Sequence, residues 1–278
     1  MRIVITGAGG QLGRALKSAF TGHQLVLLDH KTLDMGAPHA AQALVALFPE
    51  LIIHAAAYTD VDGCERDPEE AYRVNALGAR HAAQASADLN AALVFVSTDY
   101  VFDGTIGAPY LEDDEPNPLS VYGRTKWEGE QFVRALAPHH YITRTAWLYA
   151  CGFDNFVTRI LQLAGERPRL GVVTTECGSP TYAPDLAAAI ACLVQHPAYG
   201  TYHLVNSGEA SRYQFARAIL DNAGLRDYPL DALNAYPRAA MPPAYGVLSN
   251  TRAAALGITL RPWTDALREC ASMTPVLR

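Results

Sequence analysis

Residues 2–13 read RIVITGAGGQLG, an apolar run that leads directly into a turn containing Gly7, Gly10 and Gly13. Glycines at such a turn let the chain reverse sharply, and they let the backbone N–H groups at the start of the next helix approach a pyrophosphate closely. The stretch therefore predicts a dinucleotide-binding site at the start of the chain. A tight strand-to-helix connection without a ligand is the alternative interpretation of the same residues.

Strands and helices alternate through the first half of the chain. Apolar runs predict strands at 3–5, 25–28, 51–53, 93–96 and 141–145, and alanine-rich stretches predict helices at 11–20, 40–48, 68–89 and 119–136. Strands that are apolar on both faces and alternate with helices predict an α/β fold, a Rossmann-type doubly wound parallel sheet with its ligand crevice at the carboxyl ends of the strands. Beyond about residue 150 the alternation fades and prolines cluster. We therefore predict a dinucleotide-binding domain at 1–150 and a smaller, mixed α/β substrate domain at 151–278, interleaved with the first.

Composition excludes several classes of protein. Half of the 278 residues are hydrophobic and the formal net charge is −6, so a large core is expected and a general nucleic-acid binder is not. No apolar run is long enough to span a membrane and no signal peptide precedes the first strand, which predicts a cytoplasmic location. The five cysteines are scattered, and we expect reduced thiols at Cys64, Cys151, Cys177, Cys192 and Cys270.

Three side chains follow the glycine turn in an order that predicts carbonyl reduction. The fourth predicted strand ends near Thr98, and Tyr122 and Lys126 follow at the start of the next predicted helix. Residues four apart share one face of a helix, so the phenol and the ammonium can act together. The phenol of Tyr122 would donate a proton to the carbonyl oxygen, and Lys126 would lower the pKa of the phenol and bind the nicotinamide ribose. Thr98 would hold the carbonyl oxygen as negative charge develops on it.

With these residues in place, the chain resembles the extended short-chain dehydrogenase/reductases, and within them the dTDP-4-dehydrorhamnose reductases. The Gly-x-x-Gly-x-x-Gly spacing of the first turn is typical of short-chain reductases. The segments that carry the resemblance are GQLG at 10–13, AAAYTDVD at 55–62, VNA at 74–76, STDYVFDG at 97–104, RTAWLY at 144–149, GSPTY at 178–182 and YHL at 202–204. Together they cover nearly the whole chain.

The resemblance implies an enzyme that uses NADPH or NADH to reduce the 4-keto group of dTDP-4-dehydro-6-deoxy-L-mannose, giving dTDP-L-rhamnose. Thr98, Tyr122 and Lys126 fall on its catalytic positions. Its cofactor positions include the three glycines of the turn, Tyr122 and Lys126. The others fall on Gln11, Leu12, Asp29, Asp34, Met35, Ala55, Ala56, Ala57 and Thr59. Its substrate positions fall on Tyr100, Val101, Phe102 and Trp147. For Trp147 a core-packing role is the alternative, and Asp34 and Met35 are equally compatible with an ordinary loop.

The choice between the two cofactors stays open at the level of sequence. Asp29 follows the second predicted strand, where a carboxylate binds the adenosine ribose hydroxyls and repels a 2′-phosphate, which favours NADH. His30 and Lys31 come next and could offset that charge, and the reductases that the chain resembles often accept NADPH.

Some of these relatives form dimers through a magnesium ion held by acidic side chains, one of them two residues beyond the third glycine. The corresponding residue here is Ala15, so we expect no metal and either a monomer or a homodimer. Two other functions remain as alternatives: an epimerase or dehydratase that retains its NAD, and a regulatory subunit that binds a dinucleotide without turnover. Asp99-Tyr100 after Thr98, in place of the Asp-Glu pair of the dehydratases, speaks against dehydration.

Overall fold

A computed structural model describes residues 1–273 of the chain. Its strands are β1 (Arg2–Thr6), β2 (Gln24–Leu28), β3 (Leu51–His54), β4 (Ala92–Thr98), β5 (His140–Thr145), β6 (Leu148–Tyr149), β7 (Leu170–Val173), β8 (Cys177–Gly178), β9 (Thr181–Tyr182), β10 (Gly200–His203), β11 (Ala210–Ser211) and β12 (Leu230–Leu233). Its α-helices are α1 (Gln11–Ala19), α2 (Ala40–Val45), α3 (Val61–Arg66), α4 (Pro68–Ala71), α5 (Gly78–Leu89), α6 (Val121–Leu136), α7 (Phe156–Glu166), α8 (Ala183–Leu193), α9 (Arg212–Asn222), α10 (Thr251–Ala255) and α11 (Trp263–Met273).

Six parallel strands form the main sheet, in the order β10-β5-β4-β3-β1-β2. The strands that follow β1 in the chain lie on both sides of it, so the direction of winding reverses between β1 and β3. In an open parallel sheet the ligand crevice opens at this point, beyond the carboxyl ends of the strands. The five predicted strands and the parallel α/β architecture are confirmed.

Alternate residues of the central strands enter two different cores, one on each face of the sheet. Ile3 and Ile5 of β1 pack toward α1 and α8, whereas Val4 packs toward α2, α5 and α6. All three side chains are fully buried. Because both faces are covered, each strand is a continuous apolar run, which is the pattern that the sequence shows.

The second half of the chain contributes to the main sheet and also builds a third core. Strand β10 pairs with β5 in parallel, and Tyr202 lies opposite Thr143. The short sheets β11-β8, β12-β7 and β6-β9 surround a cluster that includes Tyr149, Phe215 and Leu267. The division of the chain at residue 150 stays a prediction.

The structure contains several local elements that the sequence does not predict. The predicted helix 68–89 consists of α4, a π-helical segment at Tyr72–Leu77 and α5. Helix α3 was not predicted, and neither was a 3₁₀ turn at Asp99–Val101 directly after β4. None of the helices within residues 1–273 has the length and apolar character needed to cross a membrane.

The expectation of five reduced thiols is wrong for two cysteines. Cys151, in the loop after β6, is joined to Cys270 of α11 in a disulfide, and their Cα atoms lie 5.5 Å apart. The two residues are 119 positions apart in the chain, so only the fold brings them together. Cys64, Cys177 and Cys192 are free thiols.

Candidate active site

A cavity of about 880 Å³ opens at the carboxyl ends of β1, β3 and β4. The first half of the chain forms one wall, and residues from the second half, including Asn155, Phe156 and Arg212, form the other. The predicted cofactor residues all line it: Gly7, Gly10, Gln11, Leu12, Gly13, Asp29, Asp34, Met35, Ala55, Ala56, Ala57, Thr59, Tyr122 and Lys126. Residues predicted separately from the glycine turn and from the later segments therefore meet in one space.

The glycine turn brings α1 close to β1 and leaves the start of the helix open. A Cβ at position 13 would collide with the Gly7 carbonyl oxygen and would lie 2.5 Å from the Ala8 Cα, so only glycine fits there. Gly10 caps α1 without a side-chain hydrogen bond, and the first turn of the helix holds no acidic residue. Backbone N–H groups that the chain itself does not satisfy form a cradle for an anion. The turn thus fits the pyrophosphate of a dinucleotide.

The far end of the cavity is lined by Asp29, Asp34 and Met35. The Asp29 Oδ1 accepts hydrogen bonds from the backbone N–H groups of Lys31, at 3.0 Å, and Thr32, at 2.9 Å. The bond from Thr32 is the main cause that lowers the pKa of Asp29, so the carboxylate is ionised at neutral pH. Arg73 donates to the Asp34 Oδ2 at 2.6 Å, which fixes the loop that carries Met35.

The three predicted catalytic residues lie together on the cavity wall. Thr98 ends β4, and Tyr122 stands in the first turn of α6, which Ser120 caps by accepting a hydrogen bond from the Gly123 N–H at 3.1 Å. Lys126 is one helical turn further on and only 2% exposed. Its Nζ donates to the Val96 carbonyl oxygen at 2.6 Å and lies 4.2 Å from the centre of the Phe95 ring.

Burial dominates the electrostatics of this wall. It lowers the pKa of Lys126 to about 7, against the effect of the Glu130 carboxylate one turn away. Burial also raises the pKa of Tyr122 above that of an ordinary phenol; a hydrogen bond with Thr98 opposes this, and the charge of Asp99 adds to it. Burial sets the direction of this shift, and the lowering of the phenol pKa by Lys126 stays a prediction. Tyr122 keeps its proton at neutral pH, as an acid must.

Asp99 is a buried carboxyl group that the sequence prediction did not include among the site residues. It lines the cavity, is only 2% exposed, and its Oδ1 lies 2.9 Å from the Thr98 hydroxyl oxygen. Its other oxygen, Oδ2, is buried without a hydrogen-bond partner. Burial raises the pKa of Asp99 to about 7, although the Thr98 hydroxyl and the charge of Arg212 act in the opposite direction.

Two of the four predicted substrate residues line the cavity and two do not. Tyr100 and Trp147 line it, and the Tyr100 ring meets the Tyr122 ring edge-on at 5.4 Å. Val101 and Phe102 are fully buried among core residues such as Tyr110 and Leu248. They follow the 3₁₀ turn after Thr98 and do not line the cavity, and their role in substrate binding stays a prediction.

The second half of the chain supplies residues that the sequence prediction missed. The Arg212 guanidinium stacks 3.6 Å from the centre of the Trp147 ring, and its Nε lies 3.7 Å from a carboxylate oxygen of Glu176. Asn155 caps α7 and reaches the Gln11 side chain at 3.4 Å, which connects this half to the glycine turn. No spacing in the sequence singles out these residues, since they come to the cavity through long-range packing.

The arrangement can bind a dinucleotide along the glycine turn and protonate an oxygen atom at the Thr98–Tyr122 wall. Among the described residues, no cluster of three or more His, Cys, Asp or Glu side chains could hold a metal ion. Arg212, Tyr100 and Trp147 line the same cavity as the proton-donating wall.

Comparison with known proteins identifies the family. The family model described as RmlD substrate binding domain matches residues 1–275. The chain is 41% identical over 281 residues to a dTDP-4-dehydrorhamnose reductase of Mycolicibacterium smegmatis, covering 98% of this chain and 85% of that one. It is 39% identical over 274 residues to the spore coat polysaccharide biosynthesis protein SpsK of Bacillus subtilis, covering 96% of each.

A solved structure of high similarity is that of a dTDP-4-dehydrorhamnose reductase from Bacillus anthracis in complex with NADP. It superposes with a TM-score of 0.94 at 37% identity, covering 98% of this chain and 99% of that one. The fold, the matching family model and the relatives of about 40% identity over nearly the full length all indicate the same family. This chain belongs to the RmlD family of dTDP-4-dehydrorhamnose reductases.

Proposed function

We propose that the protein reduces the 4-keto group of dTDP-4-dehydro-6-deoxy-L-mannose to give dTDP-L-rhamnose, with NADPH or NADH as the reductant. The observation that carries this proposal is the meeting of Thr98, Tyr122 and Lys126 on the wall of the cavity that the glycine turn also lines. Membership of the reductase family supports the substrate, and the NADP complex of the Bacillus anthracis relative supports the cofactor.

Bound NADPH or NADH supplies the hydride that adds to the C4 carbonyl carbon. As the bond forms, negative charge develops on the keto oxygen, and Tyr122 delivers the proton that neutralises it. Thr98 donates a hydrogen bond to the same oxygen and shares the charge. Lys126 lies one helical turn from Tyr122, where its ammonium stabilises the phenolate left behind and binds the nicotinamide ribose.

The aromatic and charged side chains near the catalytic residues suit a nucleotide sugar. We propose that Tyr100 and Trp147 lie against the sugar or the base, since aromatic faces pack well on such groups. Arg212 supplies positive charge on the same side, where the diphosphate of the substrate is negative. Both ligands are charged metabolites, and we propose that the protein acts in the cytoplasm. We expect it to be a monomer or a homodimer.

The test is a coupled assay. The 4-keto-6-deoxy sugar nucleotide is made enzymatically and supplied with its 3,5-epimerase, NAD(P)H absorbance is followed, and the sugar product is identified by NMR. The proposal predicts consumption of one reduced cofactor per sugar and a product with the L-rhamno configuration. A different sugar would mean another 4-ketoreductase. A product formed without net cofactor oxidation, from protein that is purified with NAD bound, would mean an epimerase and overturn the proposal.

A further inference from the structure

We propose that Asp99 is a positioning residue that decides whether the Thr98 hydroxyl can donate a hydrogen bond to the keto oxygen. The inference rests on the proposed ketone reduction and adds to it a residue that acts through Thr98. It follows from the hydrogen bonds around Thr98, from the unpartnered oxygen of Asp99 and from the charges that surround this carboxyl group.

A threonine hydroxyl has one hydrogen to donate and two lone pairs that accept. The Tyr100 N–H donates to the Thr98 oxygen at 3.2 Å and occupies one lone pair. The Asp99 Oδ1 lies 2.9 Å from the same oxygen. If Asp99 is ionised it can only accept, so Thr98 must point its single hydrogen at Asp99.

A keto oxygen is also only an acceptor, so it gains nothing from a Thr98 hydroxyl whose hydrogen is already engaged. If Asp99 is protonated, its O–H donates to the second lone pair of Thr98. Both lone pairs are then filled, and the hydrogen of Thr98, which bonds the Tyr122 oxygen in this structure, is free to turn to the keto oxygen when substrate binds. The neutral form of Asp99 is thus the form that completes the binding site for the developing oxyanion.

The surroundings of the other carboxyl oxygen favour the neutral form. The Asp99 Oδ2 is buried without a partner, and a Cβ on Gly246 would lie 2.9 Å from it, so the backbone of this glycine covers it closely. A buried anionic oxygen without a hydrogen bond is costly, whereas the carbonyl oxygen of a neutral acid is much less so. The pKa of Asp99, raised by burial to about 7, is consistent with this.

The titratable and charged groups around Asp99 come from several parts of the chain. Arg212 of α9 faces it and favours the anion, although its own pKa is lowered by burial. Beyond Arg212 lies Glu176, which pairs with both Arg212 and Arg238. The titratable side chains nearest to Asp99 on its own segment and on α6 are Tyr100 and Tyr122, and Lys126 follows one turn along α6. Asp99 and Lys126 both have pKa values of about 7, so the test must separate them.

The first experiment observes Asp99 without using the reaction. Infrared spectra of the wild-type protein are compared with those of Asp99→Asn between pH 5 and pH 9. We expect a carbonyl band of a protonated carboxyl group at low pH that disappears through neutrality in the wild type and is missing from the variant. Absence of this band from the wild type at pH 6 would overturn the proposal, whether or not the protein turns over the sugar nucleotide.

The second experiment is the pH profile of kcat/KM in the coupled assay. In the wild type we expect kcat/KM to fall about tenfold per pH unit above neutrality. The fall should end at a plateau on the order of 10²-fold lower, which is the usual loss when one oxyanion donor is removed. An asparagine can donate to Thr98 at every pH, so Asp99→Asn loses the part of this fall that Asp99 causes and keeps only the part that Lys126 causes, whatever fraction of the activity at pH 6 the substitution costs. The matched control is Asp103→Asn, five residues after Thr98, because Asp103 bonds Asn117 and Tyr110 and its pKa is lowered to about 2. We expect its profile to keep the wild-type shape.

A further variant keeps the test decisive if Asp99→Asn does not fold. Thr98→Val removes the group through which Asp99 acts, so we expect its activity at pH 6 to lie near the low plateau and its fall above neutrality to shrink to the part that Lys126 causes. An unchanged fall in either Asp99→Asn or Thr98→Val would assign the titration to another group, such as Lys126, and overturn the role of Asp99. A wild-type protein that gives the infrared band but does not reduce the sugar would contradict the proposed function instead.

Discussion

Burial favours the uncharged form of both Tyr122 and Lys126. Burial raises the pKa of the phenol and keeps its proton in place, whereas it lowers the pKa of the ammonium to about 7. A phenol with a raised pKa is a weak acid, so its proton transfer depends on stabilisation of the phenolate as hydride arrives. Lys126 now donates to the Val96 carbonyl, and its remaining two N–H bonds are available for that task and for the ribose.

Replacing Tyr122 by phenylalanine tests the acid directly. We expect Tyr122→Phe to bind the reduced cofactor nearly as tightly as the wild type and to lose about 10²- to 10⁴-fold in kcat, because only the proton donor is removed. Fluorescence titration with NADPH gives the binding, and the coupled assay gives the rate. As a control, Tyr72→Phe changes a tyrosine that is 39% exposed and does not line the cavity. Turnover of Tyr122→Phe at the wild-type rate would rule out its assignment as the acid.

Asp29 provides a second test at this scale, directed at the cofactor. Its ionised carboxylate lines the cavity after β2 and would repel a 2′-phosphate. We therefore expect Asp29→Ala to shift the ratio of kcat/KM values toward NADPH by about tenfold or more. The substitution also removes the hydrogen bonds that Asp29 accepts from Lys31 and Thr32. Thr32→Val is the control, since it alters the same turn and leaves the charge. Equal cofactor ratios in Asp29→Ala and the wild type would show that the carboxylate does not face the ribose.

At the scale of elements, the start of α6 determines where the catalytic phenol stands. The helix begins at Val121, one residue before Tyr122, and Ser120 caps it from a position that is 1% exposed. A Cβ on Gly123 would collide with the Tyr100 carbonyl oxygen, so the glycine lets the helix pack directly on the turn after β4. The cap and the glycine together hold the Tyr122 ring beside Thr98 and Tyr100.

Removal of the cap should therefore affect catalysis as well as stability. We expect Ser120→Ala to lower the free energy of unfolding by about 1 kcal/mol, the usual cost of losing an N-cap. We also expect it to lower kcat, because the first turn of α6 loses its fixed position. Asp67→Ala removes the cap of α4 and is the matched control, with a similar loss of stability and unchanged kcat. Urea titrations and the coupled assay measure both quantities, and equal kcat values for the two variants would contradict this role of Ser120.

At the scale of the whole molecule, local and long-range features differ in how far the sequence predicts them. Gly13, Thr98 and Tyr122 were predicted because strand ends, turns and helix faces are set by neighbours in the chain. Arg212 and the Cys151–Cys270 disulfide were missed, because only packing between distant segments brings them into place. The burial of Phe102 was not predicted either, because Leu248, which shares its core, lies far away in the sequence.

A buried ion pair connects the parts of the molecule beneath the catalytic wall. Arg144 of β5 donates to Glu130 of α6 through Nη2 at 2.8 Å and Nε at 3.0 Å, and these side chains are 1% and 0% exposed. Glu130 also accepts from Ser97 of β4 at 2.6 Å, and Arg144 approaches His203 of β10 at 3.4 Å. The pair thus joins the sheet to the catalytic helix and to the strand that the second half of the chain supplies.

Breaking this pair should destabilise the whole fold. We expect Arg144→Met to lower the free energy of unfolding by about 3 kcal/mol, because the buried Glu130 carboxylate loses two charged hydrogen bonds and keeps only Ser97 and the partly exposed Arg134 as partners. Arg268→Met breaks a pair with Asp265 whose side chains are 70% and 48% exposed, and we expect a loss of less than about 1 kcal/mol. Urea unfolding followed by circular dichroism compares the two variants, and the reductase assay of folded Arg144→Met should show lowered activity, since Ser97 directly precedes Thr98. If both variants unfold at the same urea concentration, the pair does not hold the two halves of the molecule together.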